Sequence, residues 1–123
     1  MSKLSQPMHE LAARAEAITL DDYRRDIAER ERRRAIYQSL EAEFDACLTL
    51  AAPGAAPVGL TWTGDPAFVV PGSMLGVPTL SLPALEDGGL PLGLQLTGFE
   101  HGDAALFAAA AFAMTLFETQ PRA

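Results

Sequence analysis

The chain has 123 residues and a mass of 13.1 kDa, a length that fits one small domain and excludes two complete ones. Hydrophobic residues make up 49% of it and charged residues 20%, which is typical of a folded chain and excludes a disordered one. The formal net charge of -7 disfavours nucleic acid as a partner, because an acidic surface repels phosphate.

The start of the chain and its apolar runs give no sign of a targeting or membrane-spanning element. The apolar run 104–114 is shorter than the roughly 20 residues that a membrane helix needs. A single cysteine, Cys47, excludes an intrachain disulfide and is typical of a reducing compartment. We therefore expect a cytoplasmic protein that does not span a membrane.

Residues 1–45 are charged and helix-forming. A short helix is predicted over 7–17, and Thr19 followed by Asp22 has the pattern of a second helix start. The second helix is predicted to reach about Asp45, with one apolar stripe facing the core: Leu20, Tyr23, Ile27, Tyr37, Leu40 and Phe44.

The middle of that long helix, 29–34, interrupts the stripe with arginines and glutamates. The Asp26/Arg30 and Glu29/Arg33 pairs have the i,i+4 spacing of ion pairs. This pattern indicates a solvated face, and an anionic partner surface is the alternative.

Residues 46–123 are poor in charge and contain most of the glycine and proline. A short buried strand is predicted at about 46–50, then an extended loop over 51–64. A short middle helix should begin at Asp65-Pro66, be interrupted by Pro71 and Gly72, and end at Gly76. A β-hairpin is predicted at about 79–98, with its first strand over 79–83, because Gly88 and Gly89 tolerate a positive φ between two strands. In its second strand leucines at 90, 92, 94 and 96 alternate with small or polar residues, so one face of the strand is leucine.

The last helix should run from Asp103 to about Glu118 with bulky apolar side chains on two sides. With Leu106 set at zero, Phe107, Met114 and Phe117 fall within one quadrant, and Phe112 and Leu116 lie roughly opposite. A helix that is apolar on two sides requires cover on both. The predicted fold class is α/β (α+β): one unit over 1–123, helical over 1–45, with a small mixed sheet packed against helices over 46–123.

Residues able to support chemistry are sparse. His9 and His101 are far apart, and a loop leading into a helix explains the Glu100, His101 and Asp103 cluster better than a metal site. A thiol buried in an apolar strand is a poor nucleophile, which argues against Cys47. Ser73 and Ser81 have no evident base, and no phosphate-binding glycine motif is present. We therefore predict no catalytic residue, metal or cofactor.

Five stretches resemble the C-terminal segment of amidase signature family hydrolases in their order and spacing. They are 44–49 (FDACLT), 52–57 (APGAAP), 63–68 (TGDPAF), 75–83 (LGVPTLSLP) and 89–96 (GLPLGLQL). The resemblance implies part of an αβα fold with a large mixed sheet. It also implies amide hydrolysis by acyl transfer to a serine, with a second serine in a cis peptide and a lysine. Those residues lie upstream of the matched part in the family, so none can be assigned to this chain.

The resemblance also suggests substrate-binding residues. The helix after Gly-Asp-Pro-x-Phe borders the substrate pocket in the family, which makes Trp62, Phe68 and Pro71 candidates to line it. Val69 and Gly72 depart from the polar and aromatic residues of many relatives at their positions. The alternative is that the three candidates simply pack the loop and the helix.

Three functions follow as expectations. The first is a C-terminal fragment or subunit of an amidase that is inactive alone and is completed by an amidase core chain. The second is a non-catalytic, self-associating structural module derived from a truncated amidase, with a homo-oligomer as its form. The third is an independent enzyme that uses Ser73 or Ser81.

Overall fold

The computed structural model describes residues 5–118, which divide into two compact units on either side of the Arg33–Arg34 bond. Residues 1–4 and 119–123 of the predicted single unit lie outside the described range. That the whole chain forms one unit stays a prediction. The combination of helices with a small sheet confirms the predicted α/β (α+β) fold class.

The first unit is helical. Helix α1 spans Gln6–Glu16 and helix α2 begins at Leu20, close to the predicted starts. Thr19 Oγ1 accepts the backbone N–H of Asp22 at 3.1 Å, and Asp22 Oδ2 accepts the backbone N–H of Thr19 at 3.2 Å. This reciprocal capping box confirms the predicted helix start.

The apolar stripe of α2 is not a core face in this structure. Neither α1 nor α2 contains a buried residue, and 62% of Leu20 and 58% of Tyr23 are exposed. Helix α2 ends at Gln38, and a turn of 3-10 helix over Ser39–Ala42 follows it, so the predicted extension to Asp45 is wrong. Leu40 and Phe44 are exposed as well.

The charged middle of α2 is solvated, as predicted. Arg32 and Arg33 each donate to the Glu29 carboxylate at 2.8 Å, which confirms the Glu29/Arg33 pair. These hydrogen bonds lower the pKa of Glu29 to about 2, and the bond from Arg32 has the larger effect. Arg30 donates to Glu31 at 3.1 Å, and not to Asp26 as the spacing suggests.

Three strands form the sheet of the second unit: β1 (Cys47–Leu50), β2 (Thr79–Asp87) and β3 (Leu90–Thr97). Their order is β1-β3-β2. Both pairs are antiparallel, so the expectation of a mixed sheet is wrong for these strands. The reason is that β1 and β2 run in the same direction but are separated by β3.

The β2–β3 connection is the predicted hairpin. Gly88 and Gly89 have φ values of 59° and 81°, a conformation that costs glycine least. Strand β2 continues past its predicted end at Pro83, with an irregularity in the register between Leu82 and Leu85. Pro83 has no N–H to donate to the ladder, which accounts for the irregularity at that point.

Strand β1 is an edge strand and is not buried. It pairs with β3 alone, Cys47 is exposed, and 56% of Leu48 is exposed. The prediction of a buried strand with a packed cysteine is therefore wrong. Apolar composition favours burial, but no second neighbour covers this edge within residues 5–118.

Helix α3 spans Val70–Leu75 and begins later than predicted. Asp65 Oδ1 accepts the N–H of Ala67 at 2.9 Å, which caps a turn and not the helix itself. Pro71 lies in the first turn of α3, where a missing N–H costs little, so it starts the helix and does not interrupt it. The helix ends at Gly76, whose φ of 69° is the predicted left-handed cap.

Helix α4 (Asp103–Glu118) packs one face against the leucine side of the sheet. The buried core consists of Leu82, Leu96, Leu106 and Ala110, with Met114 and Phe117 packed against it. Phe112 is 67% exposed and Leu116 50% exposed, so the two-sided character of α4 is confirmed. Phe107 also remains 64% exposed, because it is displaced by about 100° from Leu106 around the helix.

No helix within residues 5–118 has the length and apolar character required to cross a membrane.

Candidate functional site

Two side chains near the C-terminal end of α2 donate hydrogen bonds to main-chain carbonyls of other segments in the second unit. Arg34 Nε donates to the carbonyl of Leu75 at 2.6 Å, at the end of α3. The Tyr37 hydroxyl donates to the carbonyl of Thr97 at 3.0 Å, at the end of β3. Because these residues are three apart, they lie on one helix face and fix the two segments relative to each other.

Tyr37 also makes a ring contact on this face. Its ring lies 5.3 Å from the ring of Phe99, centroid to centroid. Burial raises the pKa of the Tyr37 hydroxyl to about 12, and the nearby Cys47 contributes to the rise. The sequence places Tyr37 on an apolar stripe, and only the fold reveals that its hydroxyl has a main-chain acceptor.

Gln95 fixes the segment before α3. It is 5% exposed, and its Nε2 donates to the carbonyl of Phe68 at 2.8 Å. The alternation of β3 places Gln95 on the small or polar side of the strand, which is the available sequence signal for such a role. Burial of the amide is compatible with folding because this hydrogen bond satisfies its donor.

Trp62 lies in a shallow cavity of about 330 Å³ formed by the 52–57 loop, residues 62–65 and residues 91–93. Asp87 Oδ2 accepts the N–H of Ala55 at 2.8 Å and ties this loop to the hairpin. Trp62 itself is 62% exposed, so its ring forms an open wall and not the floor of a closed pocket.

The described cavity around Trp62 does not include the other two predicted substrate-binding residues. Phe68 and Pro71 are not part of the lining around Trp62. Phe68 is half-buried and Pro71 is exposed in the first turn of α3. Their role in substrate binding stays a prediction.

The candidate nucleophiles and metal ligands remain scattered. Cys47, Ser73 and Ser81 are exposed at separate places in the fold. His101 is 93% exposed and lies 3.8 Å from Glu100 in the turn before α4. Within residues 5–118, no group of three or more His, Cys, Asp or Glu side chains is arranged to hold a metal ion.

A concave surface lies between α4 and residues 43–46, which precede β1, and we call it the α4 groove. It has a volume of about 650 Å³. Its lining includes alanines of α4, which we call its floor, together with Phe44, Leu96, Phe112 and Leu116. Its two acidic lining residues are Glu43 and Asp45, which we call its rim. An apolar groove with exposed aromatic walls binds protein segments better than it performs chemistry.

Comparison with known proteins gives a consistent result. A Glutamyl-tRNA(Gln) amidotransferase subunit of Methylorubrum extorquens is 45% identical over 78 residues, which are 56% of this chain and 16% of that protein. The corresponding amidotransferase subunit of Streptococcus equi subsp. zooepidemicus is 34% identical over 87 residues, or 64% of this chain and 18% of that protein. No protein-family model matches.

A solved crystal structure of an amidase superposes with a TM-score of 0.79 at 30% identity. The superposition covers 94% of this chain and 30% of the amidase chain. The chain therefore spans less than one fifth of the length of these curated relatives and under a third of the solved amidase.

Order of motifs, fold and sequence identity agree, and the resemblance predicted from the sequence is confirmed: this chain is homologous to a segment of the amidase signature enzymes, consistent with their C-terminal part.

Proposed function

We propose that this chain acts as the C-terminal part of an amidase, as a fragment or as a subunit that completes a core chain carrying the catalytic serines and lysine. The substrate bond would be an amide, cleaved by the completed enzyme. The chain alone would be inactive, because the catalytic serines and lysine of the family lie upstream of the matched part and would come from the core chain.

The exposed outer face of α4 is the observation that favours this proposal most. Phe112 and Leu116 are at least half exposed on a helix whose inner face is packed against the sheet. Burial of a phenylalanine or leucine side chain contributes about 1.5–3 kcal/mol, so an exposed apolar surface of this kind favours association with a covering chain. The superposition on 30% of an amidase chain supports the choice of an amidase core as the covering chain in this proposal.

The test is reconstitution of activity. An amidase core lacking the matching segment is mixed with this chain, and ammonia release from a simple amide is measured. We expect release from the mixture and none from either component alone. Phe112→Asp should abolish the gain, whereas Thr61→Asp, at an exposed polar position outside the groove, should leave it intact.

Two results would contradict the proposal. One is the absence of any gain with every cognate core, with this chain folded by circular dichroism. The other is hydrolysis of an aryl amide by the purified chain alone that is lost on substitution of Ser73 or Ser81, since that result would identify an independent enzyme.

The second candidate function is a self-associating structural module. The open edge of β1 favours it, because Cys47 and Leu48 are exposed on a strand with one neighbour in the described sheet. Unpaired strand edges join to other strands. Sedimentation at micromolar concentration distinguishes the two: a stable homo-oligomer with no effect on an amidase core supports the module, and a monomer contradicts it.

A further inference from the structure

The charges of this chain are strongly segregated between the two units. Residues 1–33 contain seven Lys or Arg and seven Asp or Glu, so their formal charges cancel. Residues 34–123 contain two arginines and nine acidic residues, which places the whole net charge of -7 in the second unit. That unit holds the sheet, α4 and the α4 groove.

The rim of the α4 groove belongs to this acidic surface. Glu43 and Asp45 are exposed there, and neither forms an ion pair with any residue between 5 and 118. A cation at the rim would therefore meet a favourable potential.

The floor of the groove suits a helix. Ala105, Ala108 and Ala109 line it, so no long side chain keeps a partner backbone at a distance. Helices pack with their axes about 8–10 Å apart, and the smaller distances need small residues at the contact. Phe112 and Leu116 then supply apolar contacts further along the same face.

We propose that the α4 groove binds an amphipathic helix of the core chain, with an apolar face on the alanine floor and Lys or Arg side chains beside Glu43 and Asp45. This inference rests on the proposed function, since the core chain is the source of the helix. It specifies the chemistry of the partner, a basic-edged apolar helix, which the proposed function leaves open.

A second copy of this chain fits the groove less well. Two copies would bring together surfaces that each have a charge of -7, and the repulsion opposes association at low salt. A basic partner should bind more tightly at low salt and more weakly at high salt, because salt screens attraction between opposite charges as well as repulsion between like charges. The dependence of binding on salt therefore separates a basic partner from self-association.

The experiment uses the full chain and two labelled helical peptides. Both have the same leucine and alanine face, and one is edged with lysine and the other with glutamate. Fluorescence anisotropy gives the Kd at low salt, about 50 mM NaCl, and at high salt, about 500 mM. We expect the lysine-edged peptide to bind at least about tenfold more tightly at low salt and to lose most of that advantage at high salt.

Substitutions locate the contact. The double change Glu43→Gln and Asp45→Asn should weaken lysine-edged binding by about threefold to tenfold, as expected for two exposed ion pairs. Phe112→Asp should weaken it by about thirtyfold or more, the usual effect of losing a central aromatic contact. Glu86→Gln, at an exposed acidic position on β2 outside the groove, is the matched control and should change the Kd by less than about twofold.

Three outcomes would overturn the proposal: equal Kd values for the two peptides, no binding of either at millimolar concentration with the chain folded, or a homodimer that forms more readily at high salt. Reconstitution of the amidase core is a separate readout. Activity restored equally by wild type and the Glu43→Gln, Asp45→Asn variant would refute the groove contact and leave the proposed function standing. Peptide binding without restored activity would refute the proposed function and leave the groove contact standing.

Discussion

The Tyr37 hydroxyl allows a test of how the second unit is held together. Its 3.0 Å bond to the carbonyl of Thr97 is made from a half-buried position. Removing such a bond costs about 0.5–1.5 kcal/mol of unfolding free energy. We therefore expect Tyr37→Phe to lose about 1 kcal/mol at pH 7, because the ring contact with Phe99 is retained.

The same group predicts a pH dependence with a defined sign. The pKa of Tyr37 rises from 10.0 to about 12 in the folded chain. Its stabilising contribution is therefore complete below pH 10 and is lost as the pH rises through 12, because tyrosinate forms more easily in the unfolded chain. The full shift corresponds to an upper limit of about 2.7 kcal/mol, which partial contact with solvent reduces to about 1 kcal/mol.

Urea denaturation of wild type and Tyr37→Phe at pH 7 and pH 11 measures both effects. The stability difference between the two proteins should be about 1 kcal/mol at pH 7 and should shrink towards zero at pH 11. Tyr23→Phe is the control, since Tyr23 is 58% exposed on α2. A loss at Tyr37 no larger than at Tyr23, or a difference that is the same at both pH values, would refute the reasoning.

Three further predictions concern particular positions. Gly93→Val should lower the unfolding free energy by about 1–3 kcal/mol in urea titrations, because a Cβ there would overlap Ser81 Oγ, which can rotate, and would lie 3.0 Å from the fixed Cβ of Ala51; a neutral substitution would mean that the strands separate readily. Arg34→Lys should cost about 1 kcal/mol by losing the Nε bond to Leu75, against less than about 0.5 kcal/mol for Arg24→Lys on the exposed surface of α2, and equal losses would remove the assigned role. The Cys47 thiol should react with a thiol-specific chromogenic disulfide in native buffer as fast as in urea, and reaction only after unfolding would show that β1 is covered.

Local sequence patterns determined most of the elements. Gly88 and Gly89 specified the hairpin, because few other residues adopt a positive φ in a two-residue turn. Thr19 and Asp22 specified the start of α2 through hydrogen bonds within four residues. The leucine alternation of β3 and the two-sided α4 were predictable for the same reason, since each depends on the period of one element.

Only the tertiary structure decided burial and the polar contacts between distant residues. Cys47 and Leu20 lie in apolar sequence patterns that predict burial, yet both are exposed. A side chain is buried only where another element packs against it, and a local pattern does not determine that. Gln95 and Phe68 meet across 27 residues, and Tyr37 and Thr97 across 60. The sequence by itself determined which segments are helix, strand and turn, since backbone preferences act over a few residues. The fold decided which faces are covered and which remain open to a partner, because contacts depend on the positions of all the elements at once.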